Sequence, residues 1–140
     1  MRKYRFILIP VLVFMVTLLI FFHQKAVFGA EENNSYIIVG ENAKIGDLIA
    51  ALHLAEGLGI PLRNIRTDSD VLPEGRIYLI GGGSVNKISK KLGYVSARFI
   101  IRPVIVDTVT YEGRQVTVLA GYEASDTRSA VEIYLRSKGV

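Results

Sequence analysis

The chain contains no cysteine. No disulfide can staple it, so its fold must be held by packing alone, where many small exported domains rely on cross-links. Histidine is nearly as scarce, with His53 the only one beyond residue 29. A serine nucleophile would have to find its base in that one imidazole. A zinc ion, which takes three or four ligands, finds no second histidine to join it. Also missing is a basic face. The formal charge of +4 is carried by Arg2, Lys3, Arg5 and Lys25, and from Ala30 onward positive and negative side chains balance. That part of the chain lacks the concentrated cationic surface that phosphate-backbone binding requires, which excludes nucleic acid as a partner.

What the sequence does contain is a long apolar run. Phe6 to Phe22 is interrupted only by Pro10 and Thr17, and it follows Arg2, Lys3 and Arg5. At about 1.5 Å of rise per residue a helix of that length reaches about 25 Å, slightly short of a hydrocarbon core of about 30 Å. The expectation is a hydrophobic helix engaging the membrane through residues 6–22. It is either an uncleaved anchor or a signal peptide cut near Gly29, where Val27-Phe28-Gly29 precedes Ala30. In both cases the charge asymmetry across the run places the C-terminal part outside, at the cell surface or secreted. Residues 30–35 read as a polar tether, in which Asn33-Asn34-Ser35 matches the N-glycosylation pattern, as a solvated linker would by chance. The remaining residues, 36–140, suffice for one core and not for two domains.

Within that domain the hydrophobic period alternates. Tyr36-Ile37-Ile38-Val39 predicts a strand buried on both faces. Ile45, Leu48, Ile49, Leu52 and Ala55 then recur at helical spacing, with Asn42 as N-cap and Gly57 and Gly59 as stops. The unit repeats: Arg76 to Ile80 as a strand, Gly81-Gly82-Gly83 as a turn, and Ser84 opening a helix to about Leu92 that Gly93 ends. A third copy runs from Gln115 to Ala120 as a strand, turns at Gly121 to Ala124, and enters a helix capped by Ser125 or Asp126. Between them Arg98 to Arg102 and Val104 to Thr110 predict strands, Tyr111-Glu112-Gly113-Arg114 a hairpin turn, and Leu62 to Thr67 a weaker strand. The pattern predicts an α/β fold, a mostly parallel sheet with helices on both faces and one antiparallel hairpin.

No catalytic constellation emerges, and no cofactor or metal site is expected. Gly82, Gly83 and Ser84 are the candidate ligand-binding residues, because a glycine-rich turn at a helix N-terminus can present N–H groups to an anion. A turn that only reverses the strand explains them as well, and neither a P-loop nor a dinucleotide spacing follows. Gly82-x-Ser84-x-Asn86 approaches a nucleophile elbow but lacks the closing glycine. His53 and Glu56 share one side of a helix without a further ligand. Asp68-Ser69-Asp70 lacks the glycine and distal glutamate of a calcium loop and reads as a capped turn. Asp107 and Glu112 read as solvated carboxylates near the hairpin.

Three segments, in order, resemble the archaeal S-layer proteins. Ile38-Val39-Gly40-Glu41-Asn42-Ala43 with Asp47 and Ala50-Ala51 is similar to that family's opening turn and Ala-rich helix. Leu79-Ile80-Gly81-Gly82 with Val85-Asn86 resembles its second glycine turn, with Gly83 where the family tends to have Pro. Leu119-Ala120-Gly121-Tyr122 through Asp126-Thr127-Arg128 resembles its third segment. The resemblance implies a small, membrane-tethered or secreted relative that shares one module of the far longer S-layer subunits. Its expected role is a non-enzymatic structural or interaction module whose partners are envelope or S-layer proteins, with homo-oligomerisation possible. The alternative is an extracytoplasmic binder of a small anion or carbohydrate at the Gly82 to Ser84 turn.

Overall fold

The computed structural model describes residues 34–140. The apolar run, the candidate cleavage position near Gly29 and the glycosylation candidate Asn33 lie outside the described residues. Chain order is β1 (Ser35–Val39), α1 (Ile45–Leu58), a 3-10 turn (Leu62–Asn64), β2 (Ile65–Thr67), β3 (Arg76–Ile80), α2 (Lys87–Lys91), α3 (Ser96–Ile101), β4 (Val104–Tyr111), β5 (Arg114–Gly121) and α4 (Ala124–Ser137). β1 takes in Ser35, one residue before the strand predicted from Tyr36. Ser35 is buried and pairs with Arg76, and Asn34 accepts the Arg76 backbone N–H.

The five strands order as β2-β1-β3-β5-β4, parallel except for β4 against β5. The α/β architecture with a mostly parallel sheet is therefore as the alternating period predicts. Side chains alternate across the sheet and build two cores. On one face Ile37, Val39, Ile80 and Leu119 pack under α1 and α4; on the other Ile38, Leu79 and Val118 pack under Ile88, Tyr94 and Phe99 of the α2–α3 region. Coverage of both faces is why the central strands are continuous apolar runs. The β4–β5 hairpin closes through Glu112 (φ 49°) and Gly113 (φ 75°), a two-residue turn whose twist suits an antiparallel pair.

Three local expectations are corrected. Arg98 to Arg102 is not a strand but mostly helix α3, in which Phe99 is buried while Ile100 and Ile101 are exposed. A short apolar run does not carry its own period, and here one aromatic anchor decides the geometry. Leu62 to Asn64 is a 3-10 turn that leaves only Ile65–Thr67 as strand. The third concerns which side of α1 is inside: Ala50, Ala51, Leu54 and Ala55 are buried, while Ile45, Leu48, Ile49 and Leu52 are exposed. Close approach explains the choice. A Cβ on Gly46 would lie 2.6 Å from the Ala124 Cβ, so α1 and α4 meet through small residues and the bulky side chains are left outside.

Helix caps also differ. Lys44 and Glu123, not Asn42 and Ser125 or Asp126, occupy the N-cap positions of α1 and α4. Asp47 and Asp126 act one turn inside, each accepting the backbone N–H of its own N-cap residue at 3.1 Å. The two helices start by the same device.

Candidate functional site

In an open α/β sheet, ligands bind outside the C-terminal ends of the strands where the winding direction reverses. Here β2 and β3 lie on opposite sides of β1, so that point falls between β1 and β3, at Gly40 and Gly81. It is also where the glycine turn, Asp68 and the start of α2 come together.

The crevice is filled by the chain itself. Asn86 is fully buried, and its Nδ2 donates to the Ile38 and Ile80 carbonyls at 3.2 Å each, bridging the two strands where they diverge. Its Oδ1 accepts the Ile88 and Ser89 N–H groups at 3.0 and 3.1 Å, capping α2. The segment ahead of it sits directly on β1, since a Cβ on Gly40 would lie 1.6 Å from the Val85 carbonyl oxygen. Beside it, the buried carboxylate of Asp68 accepts Glu41 N–H at 2.9 Å and Lys87 N–H at 2.6 Å. The exposed Glu41–Lys87 ion pair crosses the same seam, and hydrogen bonding to Lys87 holds the Glu41 carboxyl below its usual range.

Most of the glycine turn is consequently closed by the chain itself. Gly81, Gly83, Val85 and Asn86 N–H groups donate to Leu119, Tyr94, Gly82 and Gly82 carbonyls. Gly82 packs where a Cβ would strike the Phe99 ring at 2.8 Å, and Gly83 where one would meet the Tyr94 carbonyl oxygen at 2.8 Å. Ser84 is exposed and does not start the helix; Asn86 does, at a helix of only five residues with little dipole to offer. A cleft behind the turn, lined by Asp47, Ser84, Gly121 and Thr127 among others, has about 20 Å³, room for a water and not for a nucleotide or sugar.

The remaining sequence candidates scatter. Asp70 accepts the Thr67 N–H at 3.1 Å, the capped turn expected there, while Asp68 turns the other way into the seam. Asp107 accepts the Tyr94 hydroxyl at 2.8 Å, and Arg98, stacked 4.3 Å over the Tyr94 ring, reaches the same oxygen at 3.3 Å. His53 and Glu56 line an open groove of about 660 Å³ between the C-terminal halves of α1 and α4, with Glu132 and Arg136 paired across from them. Among the described residues no group of three or more His, Asp or Glu is placed to hold a metal. None of their helices is long and apolar enough to cross a membrane. Asn86 lies within the resemblance, but nothing in the local sequence signals its role: only the assembled sheet brings four backbone groups to one amide.

No family model matches the chain, and no curated protein matches it.

Proposed function

We propose that residues 34–140 form a non-enzymatic contact module of the cell envelope, carried outside the membrane by the apolar segment at residues 6–22 or released from it. The observation that carries this reading is the Asn86 bridge. The place where such a sheet would take a small ligand is occupied by a buried side chain of the protein, with its hydrogen bonds satisfied internally. Large aliphatic side chains are meanwhile displayed on the outer side of α1.

The S-layer resemblance supports the same reading. The segments that carry it are those that build the seam and its neighbour: Gly40 under Val85, Asn86 between two strands, and Gly121 against Asp126. Their duty is to close the sheet's C-terminal edge, which suits a module selected for rigidity and contact rather than turnover.

Two measurements test it. On intact cells making the full chain, added protease should cut beyond Ala30 while the N-terminal basic residues stay protected; protection of the domain until lysis refutes the outside placement. Phosphate, nucleotide or acidic sugar should leave the melting temperature unchanged. A saturable, Ser84-dependent rise with any of them would instead establish the small-anion or carbohydrate binder.

A further inference from the structure

Helix α1 is apolar on both sides. Its inner side packs on the sheet and on α4, while Ile45, Leu48, Ile49 and Leu52 form a second stripe, exposed by 77%, 43%, 46% and 49%. The spacing i, i+3, i+4, i+7 puts all four on one line over two turns. A surface helix of a monomer carries polar residues there, and a contiguous aliphatic patch marks an interaction surface.

We infer that this stripe pairs with the same stripe of a second copy, in an antiparallel α1–α1 contact about a two-fold axis. Charge and register both favour this pairing. The stripe is bounded by Lys44 at its N-terminal end and Glu56 at its C-terminal end, both exposed. Antiparallel pairing sets each Lys44 opposite the Glu56 of the other copy, whereas parallel pairing sets like charges together. The register that matches Lys44 with Glu56 also sets Leu48 opposite Leu52, so the ends and the middle agree on one alignment. A self-complementary surface needs no second kind of protein to explain it.

The area limits the strength. Four exposed aliphatic side chains fall short of the roughly 800 Å² per partner of a standard stable interface, so the dimer dissociates on dilution. This inference does not depend on where the chain resides, and it can fail or hold separately from the envelope reading.

The absence of cysteine makes the test direct. Full-length chains carrying Lys44→Cys or Glu56→Cys are purified in mild detergent, alone and mixed, and treated with a short bismaleimide. Those two positions lie about 18 Å apart along a helix, so copies of one variant alone should cross-link poorly. The mixture should cross-link several-fold more, and Leu48→Glu in both copies should abolish the gain. A charge test stands beside it: Lys44→Glu should lower the dimer fraction in sedimentation, and adding Glu56→Lys should restore it. Equal cross-linking of Lys44→Cys alone and of the mixture would overturn the antiparallel register. A monomer at every concentration, or capture of the stripe only by another envelope component, would overturn the self-pairing.

Discussion

The Asp68 carboxylate accepts the backbone N–H of Lys87 at 2.6 Å, joining the end of β2 to the start of α2 across a gap of 19 residues. Its other oxygen takes the Glu41 N–H, so one buried side chain holds together the loops after β1, β2 and β3. Removing it would strand two backbone donors. Asp68→Ala should therefore cost about 2 to 4 kcal/mol in urea unfolding, the scale expected for losing two hydrogen bonds to one charged group in a part-buried seam. Glu41→Ala, which breaks the exposed ion pair and the exposed contact with Ser69, should change stability little. Equal effects of the two would show that Asp68 does no more than its charged neighbours.

Glycines at this edge act for two different reasons. Gly40 and Gly121 do not have positive φ; a Cβ on Gly121 would lie 2.3 Å from the Asp126 Cβ, and one on Gly40 would lie 1.6 Å from the Val85 oxygen. Gly113 has φ 75° with nothing within 4 Å. Alanine at Gly113 should cost only about 1 kcal/mol of backbone strain. At Gly40 or Gly121 it must move backbone, and several times that loss, or failure to fold, is expected in a thermal melt. A Gly121→Ala melting temperature no lower than that of Gly113→Ala would contradict the packing described.

This contrast also separates what the local sequence specifies from what the packed fold imposes. That Gly121 lies in a strand-to-helix turn was legible from the change of period. The reason for glycine was not: positive φ is the local inference, and the actual cause is a contact with Asp126 that only the α4 approach creates. The same limit governs α1. Two stripes, Ile45-Leu48-Ile49-Leu52 and Asp47-Ala50-Ala51-Leu54, both fit a helical period, and hydrophobicity favours the first. Close approach of α1 to α4 favours the second because it is smaller, and a buried Asp47 disguises it further. At the candidate site the glycine turn is legible locally, but the acceptors of the Gly81 and Gly83 N–H groups, on Leu119 and Tyr94, are distant in sequence.

Two buried tyrosines predict the alkaline limit. Burial pushes the Tyr94 hydroxyl, which donates to Asp107, up to about 12, and burial does the same to Tyr78, beside Tyr134, up to about 12. Raised folded pKa values mean that the folded state keeps protons the unfolded chain loses from about pH 10. Their contribution is thus complete below about pH 10 and is lost as pH rises toward 12. The urea midpoint should hold up to about pH 9 and then fall. Tyr94→Phe should lose about 1 kcal/mol at neutral pH with its hydrogen bond and decline less steeply above pH 10. A slope unchanged in both Tyr94→Phe and Tyr78→Phe would assign the alkaline loss to other groups.

The Asn86 bridge permits a sharper distinction, because its two ends do different things. The Oδ1 end caps α2, a task aspartate performs equally well, while the Nδ2 end donates to the Ile38 and Ile80 carbonyls, which aspartate cannot do when ionised. If only the cap matters, Asn86→Asp should behave like the parent and Asn86→Ala should lose about 1 kcal/mol. If the strand bridge matters, both should lose about 3 kcal/mol or more, and at neutral pH the aspartate should be at least as damaging, since it sets a negative charge against two carbonyl oxygens. Acidification should then recover part of the Asn86→Asp loss, because a protonated carboxyl can donate to one of them. The bridge predicts this second pattern in equilibrium unfolding at pH 7 and pH 4, referenced to the parent at each pH. Tolerance of aspartate at pH 7 would reduce Asn86 to a helix cap and reopen the crevice between β1 and β3 as a place for a ligand.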